Sequence, residues 1–314
     1  MGGSKAVTAS LSEASGPYWM AVRELCILMF NITIYISYTI SVTNIGLMLI
    51  GDLMTKKGIM IIGHGSRYRY NQRTMETQVE RLKEMGFENV YIGYNETAHP
   101  FITETLVQMA EDGIEEIVAV PFFIASGRHM TEQIIGKLRL NTGENDKYID
   151  VDGHRIMMHF ETPFGEDPLL AQILHEKFCE AQDSAKRSGI IVIGHGSRLP
   201  FNKQIISLNT ERLKEMGHKD SYCAFNEFNE PGIEETLDRM VEDGIEEIVA
   251  IPLFISEGDH LKNDIPPKIH LTDGIREGTF VQNGREIAVK YCFPIGGDYR
   301  LTQLIATKIR KYDY

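Results

Sequence analysis

Six side chains, arranged as two matching trios, carry the chemistry available to this sequence. His64 and His195 each sit in Gly-His-Gly-Ser-Arg, His129 and His260 each end a Phe-Ile-x-x-Gly-x-His run, and Glu96 and Glu227 each follow an aromatic residue and an asparagine. Every member of the second trio stands 131 residues after its counterpart. Neutral imidazole can ligate a metal or accept a proton near its ordinary pKa of about 6.5, and a carboxylate can orient it. Two histidines and a glutamate suit a divalent first-row metal held with an exchangeable position. A lone histidine or a strand-end glutamate would be weak evidence; recurrence of all three at one offset is the signal.

Rival readings of the same stretches are less economical. Glu230 is a second carboxylate near Glu227, but its counterpart is His99, so only Glu96 and Glu227 repeat as acids. Ser66, Arg67, Ser197 and Arg198 offer donors near a helix start, and the structural alternative is a phosphate-binding turn with an incidental histidine. The Gly-x-Ser-x-Gly elbow of a nucleophilic serine is absent, because each serine is followed by arginine with no glycine beyond it. No phosphate-cradling Gly-x-x-x-x-Gly-Lys loop and no dinucleotide fingerprint occurs, so the chemistry expected is ATP-independent.

The elements that must hold these residues repeat with them. Gly58–Arg67 recurs as Gly189–Arg198, Glu80–Gly86 as Glu211–Gly217, and Glu111–Ala119 as Glu242–Ala250, without a gap. A period this long matches a small domain rather than a solenoid repeat. In the first copy, strand-length apolar runs at 59–62, 90–94 and 117–123 alternate with helical stretches at 70–85, 102–111 and 131–138. A fourth strand and helix follow at 155–160 and 167–179, and at 287–292 and 299–311 in the second copy; 152–154 and 278–285 read as hairpins or loops. The runs are rich in Ile and Val and do not alternate, as in strands covered by helices on both faces. The expected fold is α/β: two tandem doubly wound parallel-sheet domains, 54–184 and 185–314, related by internal duplication. Each histidine and glutamate then follows a strand C-terminus, where such sheets bind ligands.

Composition limits the partners. Of 314 residues, 43% are hydrophobic and 24% charged, as in an ordinary globular protein of about two domains. A formal net charge of −12 argues against nucleic acid and against anionic lipid as electrostatic partners. Cys26, Cys179, Cys223 and Cys292 form no Cys-x-x-Cys pair, which argues against an iron–sulfur cluster and fits reduced thiols in a cytoplasm.

Residues 1–53 stand apart. The run 25–50 has no charged residue and is long enough to span a bilayer as a helix, but Asn, Thr and Ser dilute it and alternate with Ile and Val as a strand would. Met54 leads into the first confident strand. Residues 1–53 therefore read as an upstream extension of the reading frame, a membrane anchor, or an extra packed element.

The motifs resemble the CbiX-type sirohydrochlorin chelatases of the class II tetrapyrrole chelatases, which carry His-Gly-Ser-Arg after a first strand and a second histidine after a later one. The resemblance runs from Lys57 to about Arg310. It is strongest at 193–200, 225–231 and 252–260. It implies the fused, two-domain form with a central cleft and pseudo-twofold symmetry, as a monomer or a homo-oligomer. Position by position, it implies metal-binding and proton-accepting roles for His195 and His260 with Glu227 as acidic helper, and the same for His64, His129 and Glu96. Neither set has lost a residue. Arg128, Arg67 and Arg198 would grip substrate carboxylates while the more acidic second site attracts the metal.

The implied activity is insertion of cobalt, nickel or iron into sirohydrochlorin. Both the metal and the tetrapyrrole are substrates, and no tightly bound cofactor is expected. Insertion requires loss of two pyrrole protons and stepwise exchange of the metal's ligands for ring nitrogens, and binding in a cleft can distort the ring to expose a nitrogen lone pair. A metal or tetrapyrrole carrier using the same cleft is the competing reading, separated from an enzyme by turnover.

Overall fold

The computed structural model describes residues 55–66, 69–125, 127–141, 143, 146–272 and 274–314, with Glu24, Leu28, Met29, Ile32 and Thr33 ahead of them; residues 128–130 are described as backbone. The three readings of residues 1–53 concern positions almost wholly outside this set. Among the described residues no helix is long and apolar enough to cross a membrane. Residues 56–314 form one unit that contains all the elements below.

The first half runs β1 (Lys57–Gly63), α1 (Arg69–Glu84), β2 (Val90–Tyr94), α2 (Ile102–Glu111), β3 (Glu116–Pro121), α3 (Arg128–Lys137), β4 (Asp146–Val151), β5 (His154–Phe160) and α4 (Pro168–Ala181). The second repeats it as β6 (Ser188–Gly194), α5 (Pro200–Glu215), β7 (Ser221–Phe225), α6 (Ile233–Glu242), β8 (Glu247–Pro252), a π-helical turn at His260–Asp264 continued by α7 (Ile265–Lys268), β9 (Glu277–Gln282), β10 (Arg285–Tyr291) and α8 (Tyr299–Arg310). Each half builds a five-stranded sheet, in the orders β2-β1-β3-β5-β4 and β7-β6-β8-β10-β9. Ile59, Met60, Ile61 and Ile62 of β1 are fully buried, as the unbroken apolar run requires of a strand between two helix layers.

Four strands of each sheet are parallel, but the edge strands β4 and β9 pair antiparallel with β5 and β10. The stretch 278–285, expected as a hairpin or loop, is a hairpin: β9, a two-residue turn and the start of β10. Both hairpins turn on two residues of positive φ, Asp152-Gly153 (52° and 87°) and Asn283-Gly284 (53° and 73°), the backbone that matches the twist of tightly paired strands. The edge strands were hidden because they are half polar: β9 alternates exposed and partly buried along its whole length, so it lacks the apolar run that marks the central strands.

The last helix of each half covers the other half's sheet. Leu301, Leu304, Ile305 and Ile309 of α8 pack with Ile59, Ile61, Val118 and Val120 of the first sheet. Leu170, Leu174 and Phe178 of α4 pack with Ile190, Val192, Val249 and Ile251 of the second. Burial of each such side chain contributes about 1.5–3 kcal/mol. Polar contacts across the halves come in exchanged pairs. The Gln78 amide donates to the Gly296 carbonyl at 2.7 Å and Asn209 to that of Gly165 at 2.8 Å; Arg81 reaches Gly297 and Arg212 reaches Glu166, each at 2.9 Å. This is the self-complementary pattern of a twofold interface.

Candidate metal-binding and catalytic site

The loops after β1 and β2, and after β6 and β7, are locked together by their backbones. Asn95 and Glu96 donate to the carbonyls of Gly63 and His64 at 2.8 and 2.9 Å, and Asn226 and Glu227 donate to those of Gly194 and His195, each at 2.9 Å. Gly65 and Gly196 make this approach possible. Their φ angles are +91° and +87°, and a Cβ at either would stand 1.6–1.7 Å from the carbonyl oxygen of Glu96 or Glu227. The second glycine of Gly-His-Gly therefore sets the histidine beside the glutamate. In the first half the result is direct: His64 Nε2 lies 3.3 Å from Glu96 Oε1.

In the second half two histidines meet. The rings of His195 and His260 stand edge to face with centroids 4.7 Å apart. His195 Nδ1 is 2.9 Å from the Gly196 carbonyl, which can only accept, so Nδ1 carries the proton and Nε2 keeps its lone pair. His260 Nδ1 lies 2.5 Å from Asp264 Oδ2 and 3.7 Å from Glu227 Oε1, so its Nδ1–H faces carboxylates and its Nε2 is likewise left for a ligand. Donor atoms of Glu227, His260 and Asp264 all lie within 4.8 Å of one another.

Asp264 was not anticipated, and neither were Asn226 and Lys268. Lys268 donates to both the backbone and the side-chain oxygen of Asn226 at 2.9 Å, tying the helix after β8 to the Glu227 loop. Lys137 holds Asn95 in the same way, so this pair repeats at the 131-residue offset and was open to the same search. Asp264 was not, because its counterpart is Gln133. Its available signal was the four-residue step from His260, which puts both on one helical face. The turn that carries them is π-helical, with Ile265 N–H bonding to the His260 carbonyl. Pro266 and Pro267, which lack N–H groups, follow at once and deny the usual partners to the carbonyls four residues back.

Residues of both halves line one cavity of about 290 Å³: His64, Ser66, Tyr70 and Asn71 from the first, His195, Phe254, Glu257, Asp259 and His260 from the second. The Lys262 ammonium lies 4.3 Å from the centroid of the Tyr70 ring, closing one side across the halves. Ser197 is used locally, its hydroxyl oxygen accepting from Leu199 N–H at 3.1 Å. Arg198 is exposed and sits over the Phe228 ring at 5.5 Å rather than in the cavity. Arg67 lies outside the described residues, as do the side chains of Arg128 and His129; the backbone of the latter two forms the first turn of α3.

The fold is shared with known proteins. The CbiX family model matches residues 58–181 and again 189–312. A sirohydrochlorin cobaltochelatase from Methanococcoides burtonii is 37% identical over 126 residues, 40% of this chain and 96% of that protein. One from Methanopyrus kandleri is 30% identical over 137 residues, 39% of this chain and 94% of that protein. Among solved structures, SirB from Bacillus subtilis with Fe3+ shares the fold at a TM-score of 0.61 and 17% identity, covering 82% of this chain and 95% of SirB. The structure of CbiX described as the terminal enzyme for biosynthesis of siroheme in denitrifying bacteria does so at 0.54 and 16% identity, covering 81% and 98%. With one family match on each sheet, and the two together spanning most of the sequence, this chain belongs to the CbiX family.

Proposed function

We propose that this protein is a metal chelatase that inserts a divalent cation into sirohydrochlorin without ATP, with cobalt as the first metal to test and nickel and iron as alternatives. The observation that carries this reading is the pair His195 and His260, edge to face at 4.7 Å, each with Nδ1 committed to an oxygen and Nε2 left available. The named activity of the curated relatives supports the substrate.

His260 Nε2 and Glu227 bind the incoming cation, and Asp264 fixes the His260 ring by accepting from Nδ1–H. His195 Nε2 accepts the first pyrrole proton, and the resulting imidazolium is held by its Nδ1–H bond to Gly196. The second proton passes to the carboxylate of Glu227 as the metal leaves it for ring nitrogen. His64 faces the same cavity from the other half, with Glu96 at 3.3 Å, and passes one of these two protons on to solvent. The cavity, about 290 Å³, is at the lower end for small-molecule sites, so it takes the reacting edge of the macrocycle. Exposed Leu199 and Phe228, on the loops that carry His195 and Glu227, supply the apolar floor beyond it. Arg198 and Lys262 meet the peripheral carboxylates.

Purified protein is incubated anaerobically with sirohydrochlorin and Co²⁺, Ni²⁺ or Fe²⁺, and the absorbance change is followed beside a metal-plus-ring blank. Multiple turnovers confirm a chelatase. A product yield that stops at one equivalent identifies a carrier instead, and no acceleration with any metal overturns both.

A further inference from the structure

A second cluster of metal-binding side chains lies at the opposite edge of the second sheet. His175 and Cys179 are four residues apart on α4, so they share one helical face, and His218 approaches from the loop that follows α5. His175 Nδ1 is 2.6 Å from His218 Nε2, and Cys179 Sγ is 3.7 Å from His175 Nδ1. The donor atoms of all three lie within 4.8 Å of one another. The sixteen residues of α5, about 24 Å of helix, separate this cluster from the His195 loop.

We propose that His175, Cys179 and His218 form a binding site for a borderline divalent cation such as Zn²⁺ or Co²⁺, separate from the insertion site. The observed N···S separation is close to the edge of about 3.6 Å that a tetrahedral centre with N and S bonds of about 2.1 and 2.3 Å would have. The two imidazoles need to part by under about 1 Å, which rotation of the half-exposed rings supplies. Binding releases the Cys179 thiol proton to solvent, and an exposed thiol leaves the fourth position open to water. The duplication supplies the control. The counterparts of His175, Cys179 and His218 at the 131-residue offset are Ala306, Arg310 and Phe87, so the cluster is not a by-product of the repeat and the fold accepts other residues there.

The full chain is titrated anaerobically with Co²⁺ while the near-ultraviolet thiolate-to-cobalt charge-transfer band is recorded. Among the described residues the insertion site holds no thiol, so loss of the band in Cys179→Ser assigns it to this cluster. It should appear in the wild type and in His260→Ala, and be lost in Cys179→Ser and in His218→Phe. In the wild type, Co²⁺ should also protect Cys179 from alkylation, read by peptide mass. Absence of the band from the wild type, or its persistence in Cys179→Ser, overturns the proposal.

Discussion

His260 has a neighbour that His129 lacks. Asp264 stands four residues beyond it, where the first half carries Gln133, and its carboxylate lies on the Nδ1 side of the His260 ring. Replacing Asp264 by asparagine should keep the fold and weaken Co²⁺ binding by roughly ten- to a hundredfold, the usual effect of losing a partner that orients a metal ligand. Calorimetric titration beside the turnover assay checks this, and an unchanged affinity removes Asp264 from the site. His195→Ala should lower turnover by about 10²–10⁴, as loss of a positioned proton acceptor does, whereas His64→Ala should cost less than tenfold. Equal losses in the two variants would mean that both halves share one catalytic event.

The loop that follows β6 shows how an element transmits sequence into geometry. Gly196→Ala forces a side chain into left-handed backbone and onto the Glu227 carbonyl, so a loss of about 1–3 kcal/mol in urea denaturation is expected, together with reduced metal binding. Gly297→Ala, with nothing within 4 Å and no positive φ, should change neither. The central strands and most helices were legible because buried apolar runs and glycine breaks mark them, and the loops bearing His64, Glu96, His195, Glu227 and His260 followed from strand ends alone. The edge strands were not, since half-exposed β4 and β9 carry a polar alternation that resembles loop sequence. Nor was Arg198, whose place over Phe228 depends on a side-chain direction that spacing does not encode.

At the scale of the whole molecule, each sheet depends on a helix from the other half. Residues 54–184 expressed alone would leave the first sheet without α8, so each half by itself should be poorly folded by circular dichroism and mixing should restore helix content. The ion pairs that pin this exchange set an acid limit. Burial disfavours the Asp298 carboxylate, but hydrogen bonds from Arg300 and the charges of Lys177 and Arg300 outweigh it and hold the group at about 2. A folded value below the unfolded one of about 3.9 means a stabilisation that is complete above that pH and is lost as pH falls toward 2. It amounts to roughly 2 kcal/mol. The urea midpoint should therefore drop between pH 5 and 2, and Asp298→Asn should flatten that drop.

The exchanged helices also separate two kinds of redundancy. A duplicated catalytic unit is ordinarily free to decay once its twin does the work, and in time to be deleted. Here a half stripped of every reactive side chain would still be needed, because it supplies the lid of its neighbour's core. Selection can relax on the chemistry of one copy while keeping its body, so the amino acids after the matching strands are free to diverge, as Gln133 and Asp264 have, inside two scaffolds that must persist together.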